Sequence, residues 1–279
     1  MTRLKHGDRS QAVAQLQKSL NARGANLVAD GDFGDATEKA VRAYQASIGL
    51  VVDGVAAGKT LAALAGADVS RLLKHQDLVA AAKRLGVELA AVYAVNEVES
   101  AGEGFLSNGR PAVLFERHVM FDRLKLARAP GDDVQQLEQR ALDLAVKYPN
   151  LVNAKPGGYA GGTAEHQRLA SARQLDDTCA LEAASWGAFQ IMGYHATTLG
   201  YASVQAFVEC MQRSEAEQLE AFVRFIEADP ALLKALKGRK WAEFAKRYNG
   251  PAYARNLYDV KLERAYERHS GTHAQKAAA

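Results

Sequence analysis

The segment Asn96-Glu97-Val98-Glu99-Ser100-Ala101-Gly102 closes an apolar run with helical spacing. Counting back, Glu99 lies on the stripe of Val95 and Val92, whereas Glu97 shares a face with Ala90 and Tyr93. A carboxyl buried beside valines is disfavoured in its charged form, so it keeps its proton and can serve as a general acid. Glycosidic bond cleavage requires an acid of that kind. Glu97 takes the part if the helix ends early, and a cap or salt bridge at the helix end is the plainer role for Glu99. A second patch, Ser185-Trp186-Gly187-Ala188-Phe189-Gln190-Ile191-Met192, gathers aromatic and amide side chains around a turn glycine. Further on, Tyr248-Asn249-Gly250-Pro251 leaves a hydroxyl at a helix terminus.

Other chemistries lack their residues. Cys179 and Cys210 stand far apart, a pattern of buried thiols in a reducing compartment rather than of a disulfide framework. His269 and His273 have the i,i+4 spacing of metal ligands, but Gly271 lies between them in what reads as a frayed, solvent-exposed tail. With no His-Glu-x-x-His or Cys-x-x-Cys, neither a metal nor an organic cofactor is expected. The net charge of +3 conceals a basic C-terminal stretch, where residues 231–279 carry 11 Lys+Arg against 4 Asp+Glu. That excess reads as a solvated helical face, with steering toward an anionic polymer or weak contact with a bacterial membrane as the functional alternative. No nucleic-acid motif accompanies it, so nucleic acid is not an expected partner. No apolar run approaches the ~20 residues of a membrane span, and the basic start Met1-Thr2-Arg3-Leu4-Lys5-His6 has no apolar stretch of a secretory signal behind it.

The elements that must carry these residues are mainly helical. An imperfect repeat opens the chain: Leu27-Val28-Ala29-Asp30-Gly31-Asp32-Phe33-Gly34-Asp35-Ala36-Thr37 returns as Leu50-Val51-Val52-Asp53-Gly54-Val55-Ala56-Ala57-Gly58-Lys59-Thr60. In each copy Asp-Gly makes a turn and Thr opens the next helix. With Val13, Leu16, Gln17 and Leu20 before the first copy, and Val41, Tyr44 and Gln45 between the two, this predicts a three-helix module over 1–66. A short linker over 65–70 follows, then a larger, mostly helical domain over 72–279. Helices are expected over 77–84, 88–99, 132–147, 174–185, 203–210, 215–229, 231–236, 240–248 and 251–268. Residues 104–115 suggest a small β-hairpin, and the Gly-rich stretch 149–163 a long surface loop near the site.

These motifs resemble two known families. Val13-x-x-Leu16-Gln17, Asp30-Gly31-x-Phe33-Gly34, Thr37, Ala40-Val41, Tyr44-Gln45, Gly49-Leu50 and Asp53-Gly54 resemble the peptidoglycan-binding domain 1 family, departing from it by one extra Ala at Ala56-Ala57. The resemblance places a ligand groove beside Asp30, Phe33, Tyr44 and Gln45, with Phe33 and Tyr44 also readable as core. Glu99-Ser100-x-Gly102, Gly187-x-Phe189-Gln190-Ile191-Met192 and Tyr248-Asn249-Gly250 look like the lysozyme superfamily. Together with Gly104-Phe105, Leu114-Phe115-Glu116-Arg117-His118 and Ser185-Trp186, they resemble the N-acetylmuramidase domain of modular phage endolysins over residues 77–268.

The resemblance implies a lysozyme-like catalytic domain that cuts the β-1,4 bond between N-acetylmuramic acid and N-acetylglucosamine in peptidoglycan. Its rivals are a lytic transglycosylase, which needs a single Glu, and a non-catalytic wall-binding protein. Glu99 would be the acid. Glu116 would be the second carboxylate, activating water or acting as nucleophile, or else a structural residue paired with Arg117. His118 would be its structural neighbour. Gln190, Tyr248 and Asn249 would meet sugar hydroxyls or position water, and Trp186 would stack on a pyranose face, with a core role for Trp186 and Phe189 held open. Peptidoglycan is then the partner and the chain a monomer. Its location is the host cytoplasm until it is released to the periplasm and cell wall.

Overall fold

The computed structural model describes residues 3–99 and 103–271. Ser100, Gly102 and His273 lie outside the described residues. In chain order the helices are α1 (Gln11–Asn21), α2 (Asp35–Ser47), α3 (Gly58–Leu64), α4 (His75–Leu85), α5 (Leu89–Glu99), α6 (Arg117–Leu124) and α7 (Val134–Lys147). They continue with α8 (Ala164–Arg173), α9 (Asp177–Glu182), α10 (Val204–Arg213), α11 (Glu215–Ala228), α12 (Pro230–Lys237), α13 (Trp241–Asn249) and α14 (Tyr258–Ser270). Strands β1 (Val113–Phe115), β2 (Ala184–Trp186) and β3 (Ile191–Met192) form one antiparallel sheet in the order β1-β2-β3. Local chemistry starts many of the helices: Ser10, Asp133, Asp176, Ser203 and Ser214 each accept an orphan amide of the first turn with the side chain.

By internal contacts the chain divides into Met1–Val98 with Lys234–Ala279, and Glu99–Leu233. The first unit holds the N-terminal module, whose core is Leu4, Val13, Leu16, Leu20, Phe33, Val41 and Ala56. The sequence repeat becomes a repeat of hydrogen bonds. Gln17 donates to Asp30 Oδ1 (2.9 Å) and Thr37 Oγ1 (3.0 Å) and accepts from Gly31 N (2.9 Å). Gln45 donates to Asp53 Oδ1 (2.8 Å) and Thr60 Oγ1 (3.1 Å) and accepts from Gly54 N (3.0 Å). Each buried glutamine thus locks one Asp-Gly turn to the helix that follows it. The module is joined to α4 and α5: Val52 N donates to the Tyr93 hydroxyl (3.3 Å), which also meets His75 Nδ1 at 2.7 Å. At the other end of the chain, Arg239 and Tyr266 both bond to Glu88, at 2.9 and 2.6 Å.

The second unit sets helices around the small sheet. Val113 pairs with Trp186, Leu114 with Ser185 and Phe115 with Ala184, and Trp186 pairs in turn with Ile191. Buried Gln218 ties this sheet to the loop before it, accepting from Ala188 N (2.8 Å) and donating to Gly104 O (3.1 Å) and Met211 O (3.0 Å).

Several expectations change. The hairpin over 104–115 is reduced to a single bridge between Phe105 and Pro111, because β1 finds its partner in β2, far along the chain. The helix expected through residue 185 stops at Glu182, and the chain straightens into β2. Residues 251–268 split into a 3-10 segment, Pro251–Asn256, and α14. Helices α6 and α8 were not legible, because their apolar residues do not gather on one face. His269 is not a frayed-tail residue: its side chain is 10% exposed and its Nε2 lies 2.9 Å from Glu97 Oε2. No described helix is long and apolar enough to cross a membrane.

Candidate active site

Glu99 is the last residue of α5, on the stripe below buried Val92 and Val95, and its own side chain is half-buried rather than enclosed. Glu97, one turn-face away, is spent elsewhere. Burial alone would raise its pKa, but the hydrogen bond from His269 and the charges of Arg268, His269 and Arg3 outweigh that and hold it down to about 2. A carboxyl held ionised in this way has no proton to give at neutral pH, which argues against Glu97 as a general acid.

Glu116 follows β1 directly and precedes α6, and its amide donates to Ala183 O (2.9 Å), which continues the β1–β2 ladder by one step. The side chain is 17% exposed. Its Oε2 accepts the Tyr159 hydroxyl at 2.9 Å. His118 Nδ1 stands 3.2 Å from the same oxygen, without the alignment of a hydrogen bond. The expected Arg117 partnership is replaced by another: the three guanidinium nitrogens of Arg117 donate to the carbonyls of Pro149 (3.0 Å), Lys155 (2.9 Å) and Pro156 (2.9 Å). Arg117 therefore holds the Gly-rich loop, and Glu116 is left to Tyr159 and the nearby His118 ring.

That loop is secured a second time from below. Glu165 is fully buried and accepts from Gly161 N (3.0 Å), Phe115 N (3.2 Å), Ala160 N and Arg168 Nη1 (3.1 Å). Desolvation pushes its pKa up, and those amides with the Arg168 charge outweigh it, so the group stays below the ordinary carboxylate range. Arg168 also reaches Phe115 O (2.6 Å), Asn150 O (3.0 Å) and Gly157 O (3.1 Å). The sequence offered one clue to this clamp, a Glu-x-x-Arg pair at helical spacing just after the glycines. Tyr159 itself, set between Gly157-Gly158 and Gly161-Gly162, carried no pattern that marked it.

The β2–β3 turn places the remaining motif. Gln190 is exposed at its tip with a left-handed backbone (φ 50°), its Oε1 accepting from the Ser185 hydroxyl (2.7 Å) and its Nε2 donating to Gly187 O (2.8 Å). Ser185 lies on β2 opposite Leu114 and bonds to Gln190, and Ala183, the residue just before β2, accepts the Glu116 amide. Trp186 is corrected to core: it is 3% exposed on the inner face of β2 and its indole N–H donates to Leu181 O (3.2 Å), leaving no ring face for a sugar. Phe189 is core as well, stacked on Phe222 at 4.6 Å. Tyr248 and Asn249 end α13 in the other unit, half-buried, with the Tyr248 ring 5.9 Å from that of Phe244.

In the N-terminal module the four residues expected at a groove separate. Phe33 is fully buried and Gln45 is buried and engaged in its turn, so both build the module from inside. Asp30 is exposed, its carboxyl held by Gln17 and Asp32 N. Tyr44 lines an open groove of about 430 Å³ between α1 and α2, with Leu20, Arg23, Asn26 and Lys39, and Asp30 lines a second open groove of about 530 Å³ with Arg9, Gln11 and Asp32.

The sequence comparisons agree with this layout. The N-acetylmuramidase family profile matches residues 88–270, and a peptidoglycan binding domain profile matches residues 9–64. The chain belongs to the N-acetylmuramidase family. Among solved structures, this muramidase is similar to the endolysin of Burkholderia AP3 phage, with 56% identity, a TM-score of 0.86, and coverage of 96% of this chain and 99% of that one. A search of the curated proteins returned no match. The muramidase is a glycoside hydrolase of the lysozyme type that acts on peptidoglycan, with a peptidoglycan-binding module ahead of the enzyme.

Proposed function

We propose that this muramidase is an endolysin that lyses its bacterial host by cutting the β-1,4 bond between N-acetylmuramic acid and N-acetylglucosamine, with Glu99 as the acid that protonates the leaving oxygen. One observation carries the assignment: within the stretch that matches the family, a half-buried glutamate ends an apolar helix while its neighbour Glu97 is locked in ion pairs. Glu116, with its orientation fixed by Tyr159, is the second carboxylate and activates water or attacks the sugar, according to its separation from Glu99. Gln190, Tyr248 and Asn249 meet sugar hydroxyls. The module over residues 1–66 raises the local concentration of the enzyme domain, 72–279, on the wall without altering the chemistry. Its contact with the polymer runs through Tyr44 and the groove beside it. The chain works as a monomer, is made in the host cytoplasm and acts once it reaches the periplasm and wall, where its basic C-terminal region makes weak contact with membrane.

The test is mass spectrometry of fragments released from purified peptidoglycan by the wild-type protein and Glu99→Gln. Reducing N-acetylmuramic acid ends that disappear in the variant support the reading. Anhydro-muramic ends would make the enzyme a transglycosylase, and reducing ends that persist in Glu99→Gln would remove Glu99 from the mechanism.

A further inference from the structure

The Gly-rich loop 149–161 is held far more firmly than a surface connection requires. Arg117 and Arg168 cap five of its carbonyls, those of Pro149, Asn150, Lys155, Pro156 and Gly157, and Glu165 takes the amides of Ala160 and Gly161. Burying an ion pair such as Glu165–Arg168, at 1% and 7% side-chain exposure, is expensive unless its lone pairs and protons are used, and here the loop backbone and that of Phe115 on β1 use them. Gly157 has φ +116°, and a Cβ on it would lie 3.2 Å from Arg117 Nη2, so the backbone can pack this closely on the guanidinium only because the residue is glycine.

The anchors bracket Gly158 and Tyr159. Gly157 O is bound on one side of Tyr159 and Ala160 N on the other, and the Arg168 guanidinium stands 5.8 Å from the Tyr159 ring centroid. Tyr159 is half exposed, yet its hydroxyl donates to Glu116 Oε2 at 2.9 Å. Because Arg117 is occupied by the loop, it reaches Glu116 only through this tyrosine.

We propose that Tyr159 is a positioning residue for Glu116: the double arginine clamp fixes the loop so that the Tyr159 hydroxyl holds the carboxylate in one rotamer for attack or water activation. A carboxylate with one oxygen engaged keeps the other free in a fixed direction, and misplacement of a reacting group by about 1 Å costs on the order of 100-fold in rate. This rests on the reading of Glu116 as the second carboxylate.

The experiment measures kcat and KM on soluble, uncrosslinked glycan strands for Tyr159→Phe, Glu116→Gln and the double variant, each with a thermal melt of the full chain. Tyr159→Phe keeps the ring and the clamp but removes the hydrogen bond. It is expected to lower kcat about tenfold, with KM changed by less than about twofold and an unchanged melt. The double variant is expected to be no slower than Glu116→Gln alone, because the hydroxyl acts only through that carboxylate. Wild-type kcat in Tyr159→Phe beside an impaired Glu116→Gln would overturn the proposal alone. So would a loss in the double variant equal to the product of the two single losses, or a Tyr159→Phe loss that came with a lowered melt. Full activity in Glu116→Gln would overturn the reading of Glu116, and the role of Tyr159 with it.

Discussion

His269 Nε2 lies 2.9 Å from Glu97 Oε2, and this contact ties the last turn of α14 to the last turn of α5. Arg268 Nη2 (2.7 Å) and Arg3 Nη2 (3.3 Å) meet the other carboxylate oxygen, so the two ends of the chain converge on one residue two positions before Glu99. The cluster fixes the end of α5 just ahead of Glu99, the proposed acid, and holds Glu97 in ion pairs.

The cluster makes stability depend on pH in a defined direction. Glu97 has an ordinary value of 4.5 and is held to about 2 in the fold. A depressed carboxylate stabilises the folded state fully above its unfolded value, and the contribution is lost as pH falls toward the folded one. A shift of this size corresponds to roughly 3 kcal/mol at neutral pH. Glu97→Gln is expected to melt several degrees below wild type at pH 6, with the gap narrowing steadily between pH 4.5 and 2. A gap that stayed constant across that range would show that Glu97 contributes by packing and not by charge.

Cys179 gives a second chemical test. Its thiol is buried, and desolvation first, then the Asp176 charge, push it up to about 11 against the opposing Arg128 guanidinium. Only the thiolate is nucleophilic, so alkylation of Cys179 by iodoacetamide at pH 8 is expected to be at least about 100-fold slower in the folded chain than in urea. Peptide mapping of the labelled sites reads this directly. Rapid labelling of Cys179 would mean that α9 opens readily.

What the sequence disclosed follows from how locally each feature is encoded. The turn-and-helix repeat of the N-terminal module rests on glutamines, Asp-Gly pairs and threonines close together in the chain, and each of these became a hydrogen bond. The end of α5 at Glu99 was legible because apolar spacing runs up to it. Pairing of β1 with β2 was not, because three-residue strands some seventy positions apart carry too short a pattern to indicate register. The Tyr159–Glu116 contact was hidden for the same reason: a loop clamped by arginines on carbonyls leaves no periodic trace. Trp186 and Gln45 misled because the side chains that build a motif's scaffold are as regular as those that touch its ligand.

Gly187 shows how little room the β2–β3 turn allows. Its φ is +73°, and a Cβ there would lie 2.6 Å from Gln218 Cδ, a side chain that cannot swing away because Gly104 O, Met211 O and Ala188 N all hold it. Gly187→Ala combines a left-handed backbone cost of about 1–2 kcal/mol with overpacking of about 1–3 kcal/mol. Calorimetry is expected to show Tm lowered by on the order of 10 °C. A neutral substitution would mean that Gln218 can leave its three partners at little cost.

Gln45 and Tyr44 are neighbours on α2, one buried and one lining a groove, and wall binding is expected to separate them. Gln45 satisfies Gly54 N and Thr60 from a buried position, so Gln45→Ala strands polar groups and is expected to cost about 2–3 kcal/mol. The variant should melt earlier yet bind wall fragments with unchanged affinity at temperatures where it remains folded. Tyr44 lines the open groove with Arg23 and Lys39 and is only half-buried. Tyr44→Ala is expected to keep most of the stability and to lose about tenfold in affinity for purified peptidoglycan in a sedimentation assay, as for a single aromatic anchor. Equal loss of binding in both variants at matched folded fractions would return Gln45 to the binding surface, and no loss in Tyr44→Ala would move the contact away from the groove between α1 and α2.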